Sequence, residues 1–109
     1  MNKKYWRISY KKEGIYAALK KRLWDTNKIG IWNELKNSDK FNWLKVPNGY
    51  SLKCRSYFTE IGYMTFVNKT LPIMKEYLNE DDIIIEVFEF DYSNLKIVYE
   101  DEHQIVIEI

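Results

Sequence analysis

The C-terminal quarter of the chain does most to limit its fold. Ile83 to Phe90, Leu95 to Tyr99 and Gln104 to Ile109 are apolar, β-branched runs separated by Asp91-Tyr92-Ser93-Asn94 and Glu100-Asp101-Glu102-His103. Connections that short join antiparallel strands, because a parallel pair needs a crossover of a dozen residues or more. The first run is apolar on both faces, which predicts an interior place in a sheet.

Two further strands are read upstream. Tyr5 to Tyr10 alternates, with Trp6, Ile8 and Tyr10 on one face and Tyr5, Arg7 and Ser9 on the other, and Lys11-Lys12-Glu13-Gly14 ends it. Tyr50 to Phe58 follows the turn signal Val46-Pro47-Asn48-Gly49. Tyr50, Leu52, Cys54, Ser56 and Phe58 share one side, and Ser51, Lys53, Arg55 and Tyr57 share the other.

Helical spacing accounts for the remainder. Ile15, Ala18, Leu19 and Leu23 predict a helix over 15–24, and Ile31, Trp32 and Leu35 a shorter one over 31–36. Asn37-Ser38-Asp39 closes the latter and starts a further turn holding Phe41, Trp43 and Leu44. Tyr63, Phe66, Val67, Leu71, Met74 and Leu78 mark a third helix over 60–78, with Thr59 as N-cap and Asn79 as its stop. Pro72 removes one hydrogen bond from it and predicts a kink or a restart. The order β-α-α-β-α-β-β-β describes an α+β protein with a mostly antiparallel sheet of about five strands. At 109 residues, 1–109 is expected to be a single globular domain.

Composition closes off several classes. With 46% hydrophobic and 30% charged residues the chain is not intrinsically disordered, and 4 Gly and 2 Pro exclude collagen-like sequences. No apolar run reaches the ~18 residues of a membrane-crossing helix. The basic start Met1 to Arg7 lacks the apolar region of an export signal, which makes Asn68-Lys69-Thr70 a chance glycosylation match. Cys54 is the only cysteine and can form no internal disulfide. The expectation is a cytoplasmic protein with no membrane partner.

Charge is divided along the sequence. Residues 1–55 hold 14 Lys and Arg against 4 acids, and residues 56–109 hold 3 against 12. Either folding interleaves the two blocks into a mixed surface, or it keeps a positive and a negative face that steer oppositely charged partners.

Residues able to do chemistry are few. Cys54 and His103, each the only residue of its kind, are a candidate nucleophile and base with Lys53 and Arg55 flanking the thiol, yet alternation puts Cys54 beside Leu52 and Phe58 as a small core residue. Glu80-Asp81-Asp82 and Glu100-Asp101-Glu102 lack the spacing of a calcium loop and read as solvated turns, so no metal is expected. No glycine-rich phosphate loop occurs. Lys3, Lys4, Arg7, Lys11, Lys12, Lys20, Lys21 and Arg22, with Tyr5 and Trp6, form a basic, aromatic portion that suits nucleic acid, although the pI of about 7.7 is below that of dedicated binders.

Tyr5-Trp6-Arg7 early, Ser56-Tyr57-Phe58-Thr59 centrally and Glu100 to Gln104 before a late strand stand in the order of three fragments of ADP-ribosyltransferase-like domains, which this chain resembles over about a dozen residues. The resemblance implies NAD binding, with Arg7 early, Ser56 centrally and an acid near Gln104. Tyr57-Phe58 interrupts the Ser-Thr-Ser pattern, and Gln104 stands where that family carries Glu, unless Glu102 fills the role, so it implies a degenerate member.

With no expected catalytic residue, cofactor or metal, and with 17% aromatic residues, the chain reads foremost as a non-enzymatic binding module, inhibitor- or immunity-like, that recognises another macromolecule, most simply a protein. Its expected contact residues are Tyr5, Arg7, Tyr10, Trp24, Trp32, Trp43, Tyr50, Arg55 and Tyr57, rings that exceed the room one core offers. The NAD-binding and nucleic-acid readings are its alternatives.

Overall fold

A computed structural model describes residues 2–45 and 53–109, and it bears out the α+β class. The predicted turn at Val46 to Gly49 and the contact residue Tyr50 lie outside the described residues. The chain divides into two compact units, each assembled from separate stretches: residues 1–7, 44–65 and 86–109, and residues 8–43 and 66–85. The first holds 7 Lys and Arg with 8 acids, the second 10 with 8. Folding therefore interleaves the two charge blocks, and neither unit keeps more than a small net charge.

In the first unit, β3 (Cys54–Phe58) pairs antiparallel with β6 (Gln104–Glu108), from Cys54 opposite Glu108 to Phe58 opposite Gln104. β5 (Ile97–Glu100) pairs with the other edge of β6, with a register shift between Ile97 and Tyr99. β1 (Asn2–Tyr10) joins β3 through Trp6 opposite Phe58. Side chains directly opposite one another share a face. Tyr5, Tyr57, Ile105 and Ile107 thus converge as a core on one side, where Phe88, Phe90, Leu95 and Ile97 pack against them. The Tyr57 ring sits edge-on to Phe88 at 5.3 Å and to Phe90 at 5.2 Å. Trp6, Phe58 and Gln104 line the opposite side, where Trp6 stacks at 5.2 Å on Tyr63 of α3 (Glu60–Thr65). Thr59 caps that helix as expected, its hydroxyl accepting the Gly62 amide at 3.1 Å.

Two expectations are corrected here. Tyr57 belongs to the core rather than to the polar side of its strand, because its cross-strand neighbour Ile105 fixes that side as the buried one. β4 (Ile83–Asp91) is not an interior strand. Among the described residues it pairs with β1 alone, and Ile84, Ile85 and Val87 are exposed. Its Phe88 and Phe90 face the core, whereas the other apolar side chains have no second neighbouring strand to cover them.

The β5–β6 turn is built around Asp101. Its carboxylate accepts the His103 amide at 2.8 Å, the Gln104 amide at 3.0 Å and the Tyr99 hydroxyl at 2.6 Å. Partial burial opposes ionisation, but the hydrogen bonds from Tyr99 and the two amides outweigh it and hold the carboxyl below its ordinary value. A lowered folded pKa contributes stability above the unfolded value of ~4 and loses it as pH falls through the folded one. Asp101→Ala is expected to cost about 1 kcal/mol at neutral pH, a figure discounted for solvent screening. Paired urea titrations of both chains check this, and the gap between them should narrow as pH falls below the unfolded value of ~4.

In the second unit the end of β1 turns back into β2 (Glu13–Gly14), a two-residue strand that alternation alone does not announce. The hairpin has two residues at its tip, Lys11 at φ 46° and Lys12 at φ 71°. That is the handedness of a type I′ turn, which Asn-Gly satisfies freely and lysine adopts at a cost of about 1 kcal/mol or more per residue.

Helix α1 (Ile15–Asp25) follows directly and buries Ile15, Ala18, Leu19 and Leu23, the predicted stripe. It ends in a Schellman motif: Asn27, at φ 60°, donates to the Trp24 carbonyl and Lys28 donates to that of Leu23. Helix α2 (Ile29–Leu35) begins two residues earlier than predicted. Pro72 has the expected effect. Phe66–Thr70 winds as a π-helical turn and α4 (Leu71–Tyr77) restarts with the proline in its first turn. Phe66, Leu71 and Met74 are buried in this unit. α4 ends at Tyr77 with Leu78 already extended, and Asn79 caps the 3₁₀ turn over Glu80–Asp82 that follows. No helix among the described residues is long and apolar enough to cross a membrane.

Candidate functional site

The residues singled out from sequence separate sharply by exposure. Tyr5, Tyr10 and Tyr57 are 3%, 6% and 5% exposed, so their ring faces offer no contact surface, contrary to expectation, and of the three only Tyr10 borders the groove between the β1–β2 hairpin and α1. The sheet has two apolar sides in β1, and the core has room for these rings. Trp43 and Trp32 are half-buried with structural partners. The Trp43 indole N–H donates to Thr70 Oγ1 at 2.9 Å, the Thr70 hydroxyl donates to the Lys40 carbonyl, and Trp32 lies edge-on to Phe41. Arg55 is exposed on β3. Trp24 is 66% exposed, and the other large exposed hydrophobics among the described residues are aliphatic or Met.

In the first unit the fragments that resemble ADP-ribosyltransferases do not converge. Arg7 donates to the Ser56 carbonyl at 3.3 Å and its guanidinium lies 6.0 Å from the Tyr57 ring centre. That places Arg7 on the Tyr57 side of the sheet, whereas Ser56 and Gln104 alternate onto the opposite side. Gln104 is buried and its carboxamide donates to the Lys45 carbonyl. Cys54 and His103 sit at opposite ends of the β3–β6 ladder. Among the described residues no group of three or more His, Cys, Asp or Glu side chains comes together to hold a metal.

The second unit does gather charged groups. A groove of about 220 Å³ is lined by Tyr10, Lys11 and Glu13 from the hairpin, Ala18, Lys21, Arg22 and Asp25 from α1, and Leu78. The two-residue hairpin tip and the immediate start of α1 bring these stretches together. Lys11 Nζ is 3.6 Å from Asp82 and 5.7 Å from the Tyr10 ring centre. The lysine end of that pair is largely exposed, so the pair is worth at most about 1 kcal/mol. Among the described residues Lys21 and Arg22 form no ion pair. The Tyr10 hydroxyl accepts the Asn79 amide at 3.3 Å and has no acceptor of its own among the described residues. Trp24 stands three positions after Lys21, the spacing of helix-surface neighbours.

Of the basic portion noted in sequence, Lys11, Lys21 and Arg22 meet in this groove, while Lys3 lies 4.3 Å over the Tyr92 ring in the first unit. Glu13 and Asp25 are the groove residues that sequence reading missed. The signal available for them is the hairpin's two-residue tip, which sets Glu13 opposite Tyr10. No protein-family model, curated protein or solved structure matches this chain.

Proposed function

We propose that the chain is a non-enzymatic binding module that recognises another protein through its second unit, with Trp24 as anchor and Lys11, Lys21 and Arg22 as the charged part of the contact. The observation that carries this reading is Trp24, 66% exposed on a helix whose end is fixed by a Schellman motif. A large ring held in water on a rigid element stabilises nothing in the isolated chain, and Trp and Arg are the residues that dominate interface energetics. Glu13 and Asp25 beside the cations disfavour a continuous polyanion, which supports a protein over a nucleic acid. The chain's one cysteine, unable to form an internal disulfide, supports an intracellular setting.

Trp24→Ala is expected to leave folding stability within about 0.5 kcal/mol while weakening capture of a stoichiometric protein partner by about 30-fold. Parallel affinity purification from cell extract with both chains, at low and high salt, checks it. Equal recovery by the two chains, or no stoichiometric protein recovered by the native one, refutes the proposal.

A further inference from the structure

Resting on that reading, we infer that the groove between the β1–β2 hairpin and α1 is a seat for a single carboxylate, carried by an acidic side chain of the protein partner. Three observations point to this ligand. Lys21 and Arg22 line the groove with no ion pair among the described residues, and the buried Tyr10 hydroxyl retains a proton to donate. Those are the donor types that hold a carboxylate, with the guanidinium able to engage both oxygens. The hairpin tip carries two consecutive lysines at positive φ, where Asn-Gly would relieve the backbone. Strain of this kind is kept where the side chain is needed, and Lys11 reaches the groove. At about 220 Å³ the groove falls below the ~300 Å³ at which drug-sized sites begin and has room for an acidic side chain entering whole. Glu13 and Asp25 on the same walls repel a string of phosphates but tolerate one carboxylate on a surface of mixed charge.

Titration of the 109-residue chain by amide-detected NMR tests the seat. The probes are N-acetyl-glutamate amide, its glutamine counterpart, inorganic phosphate and a short single-stranded DNA. The glutamate probe is expected to saturate with a Kd of order mM and to shift Tyr10, Lys11 and Arg22, while the glutamine probe does not. Arg22→Gln should weaken that binding about tenfold. Lys11→Asn/Lys12→Gly should weaken it too while raising the melting temperature, because the strained turn is relieved; weaker binding in a more stable chain cannot be blamed on misfolding.

Equal shifts from glutamate and glutamine, no saturation, or unchanged affinity in both variants overturns the seat. Tighter binding of phosphate or DNA than of glutamate replaces the carboxylate with a phosphate ligand and also overturns it. The two proposals fail distinguishably: loss of partner capture in Trp24→Ala without glutamate binding leaves the module and removes the seat, whereas glutamate binding without partner capture removes the module and with it the protein partner as the source of the carboxylate.

Discussion

Gly62→Ala is expected to destabilise the protein by about 3 kcal/mol or more, at the upper end of overpacking costs. Alanine normally stabilises a helix by ~1 kcal/mol relative to glycine, so the sign here is set by one contact. A Cβ at Gly62 would lie 1.8 Å from the His103 carbonyl oxygen, 2.8 Å from its carbonyl carbon and 3.1 Å from its Cα. All three are backbone atoms and cannot rotate aside. The junction is also tied from both sides: the Thr59 amide donates to the same His103 carbonyl at 3.0 Å, and the Thr59 hydroxyl donates to the Glu102 carbonyl. Relief would have to break that capping arrangement. A fall in melting temperature of roughly 15 °C is the expected readout for a chain of this size. Gly30→Ala supplies the control, since nothing lies within 4 Å of a Cβ there, and it should be neutral or stabilising by up to ~1 kcal/mol. Similar melting temperatures for the two variants would show that α3 does not approach the β5–β6 turn so closely.

Much of the fold is legible in the sequence because the periodic signals are local. The stripe Ile15, Ala18, Leu19 and Leu23 is buried as a set, Pro72 interrupts its helix, and Thr59 caps α3. What misleads is partnership, which no local pattern encodes. Ile83 to Phe90 has the composition of an interior strand, but burial depends on a second neighbouring strand that β4 lacks among the described residues. Tyr57 alternates with Ser56 and Phe58 in a way that allows either side to be the core, and Ile105, 48 positions away, decides it. The aromatics were expected to overfill one core. β1 instead buries Tyr5 as well as Ile8 and Tyr10, using both of its sides, and among the described residues Trp24 alone of the named rings is largely exposed. The groove was half legible: its cations stand out as a basic run, but their convergence depends on a hairpin tip whose Lys-Lys pair carries none of the usual turn chemistry.

The other large effect is expected at the π-helical turn. Phe66 is fully buried, and the Tyr16 ring meets it edge-on at 6.0 Å and meets Phe41 at the same distance. Phe66→Ala removes the fully buried ring of this cluster and should cost about 3–5 kcal/mol, transfer and cavity terms together. Tyr16 gives the experiment a second readout. Its ring is half-buried, but its hydroxyl oxygen is enclosed with no hydrogen bond among the described residues. Burial pushes the phenol well above its ordinary value, and the nearby Thr70 hydroxyl, pulling the other way, does not offset this. A raised folded pKa means that the native chain loses stability as pH climbs past the unfolded value of about 10. Opening a cavity beside Tyr16 admits water, so in a Phe66 variant that phenol should ionise at lower pH and part of the alkaline instability should vanish. Phe66→Leu, expected to cost about 1.5 kcal/mol, keeps the fold for the spectroscopic titration of tyrosine even where Phe66→Ala unfolds. Destabilisation below about 1 kcal/mol in Phe66→Ala would mean that the π turn does not carry a core residue at all.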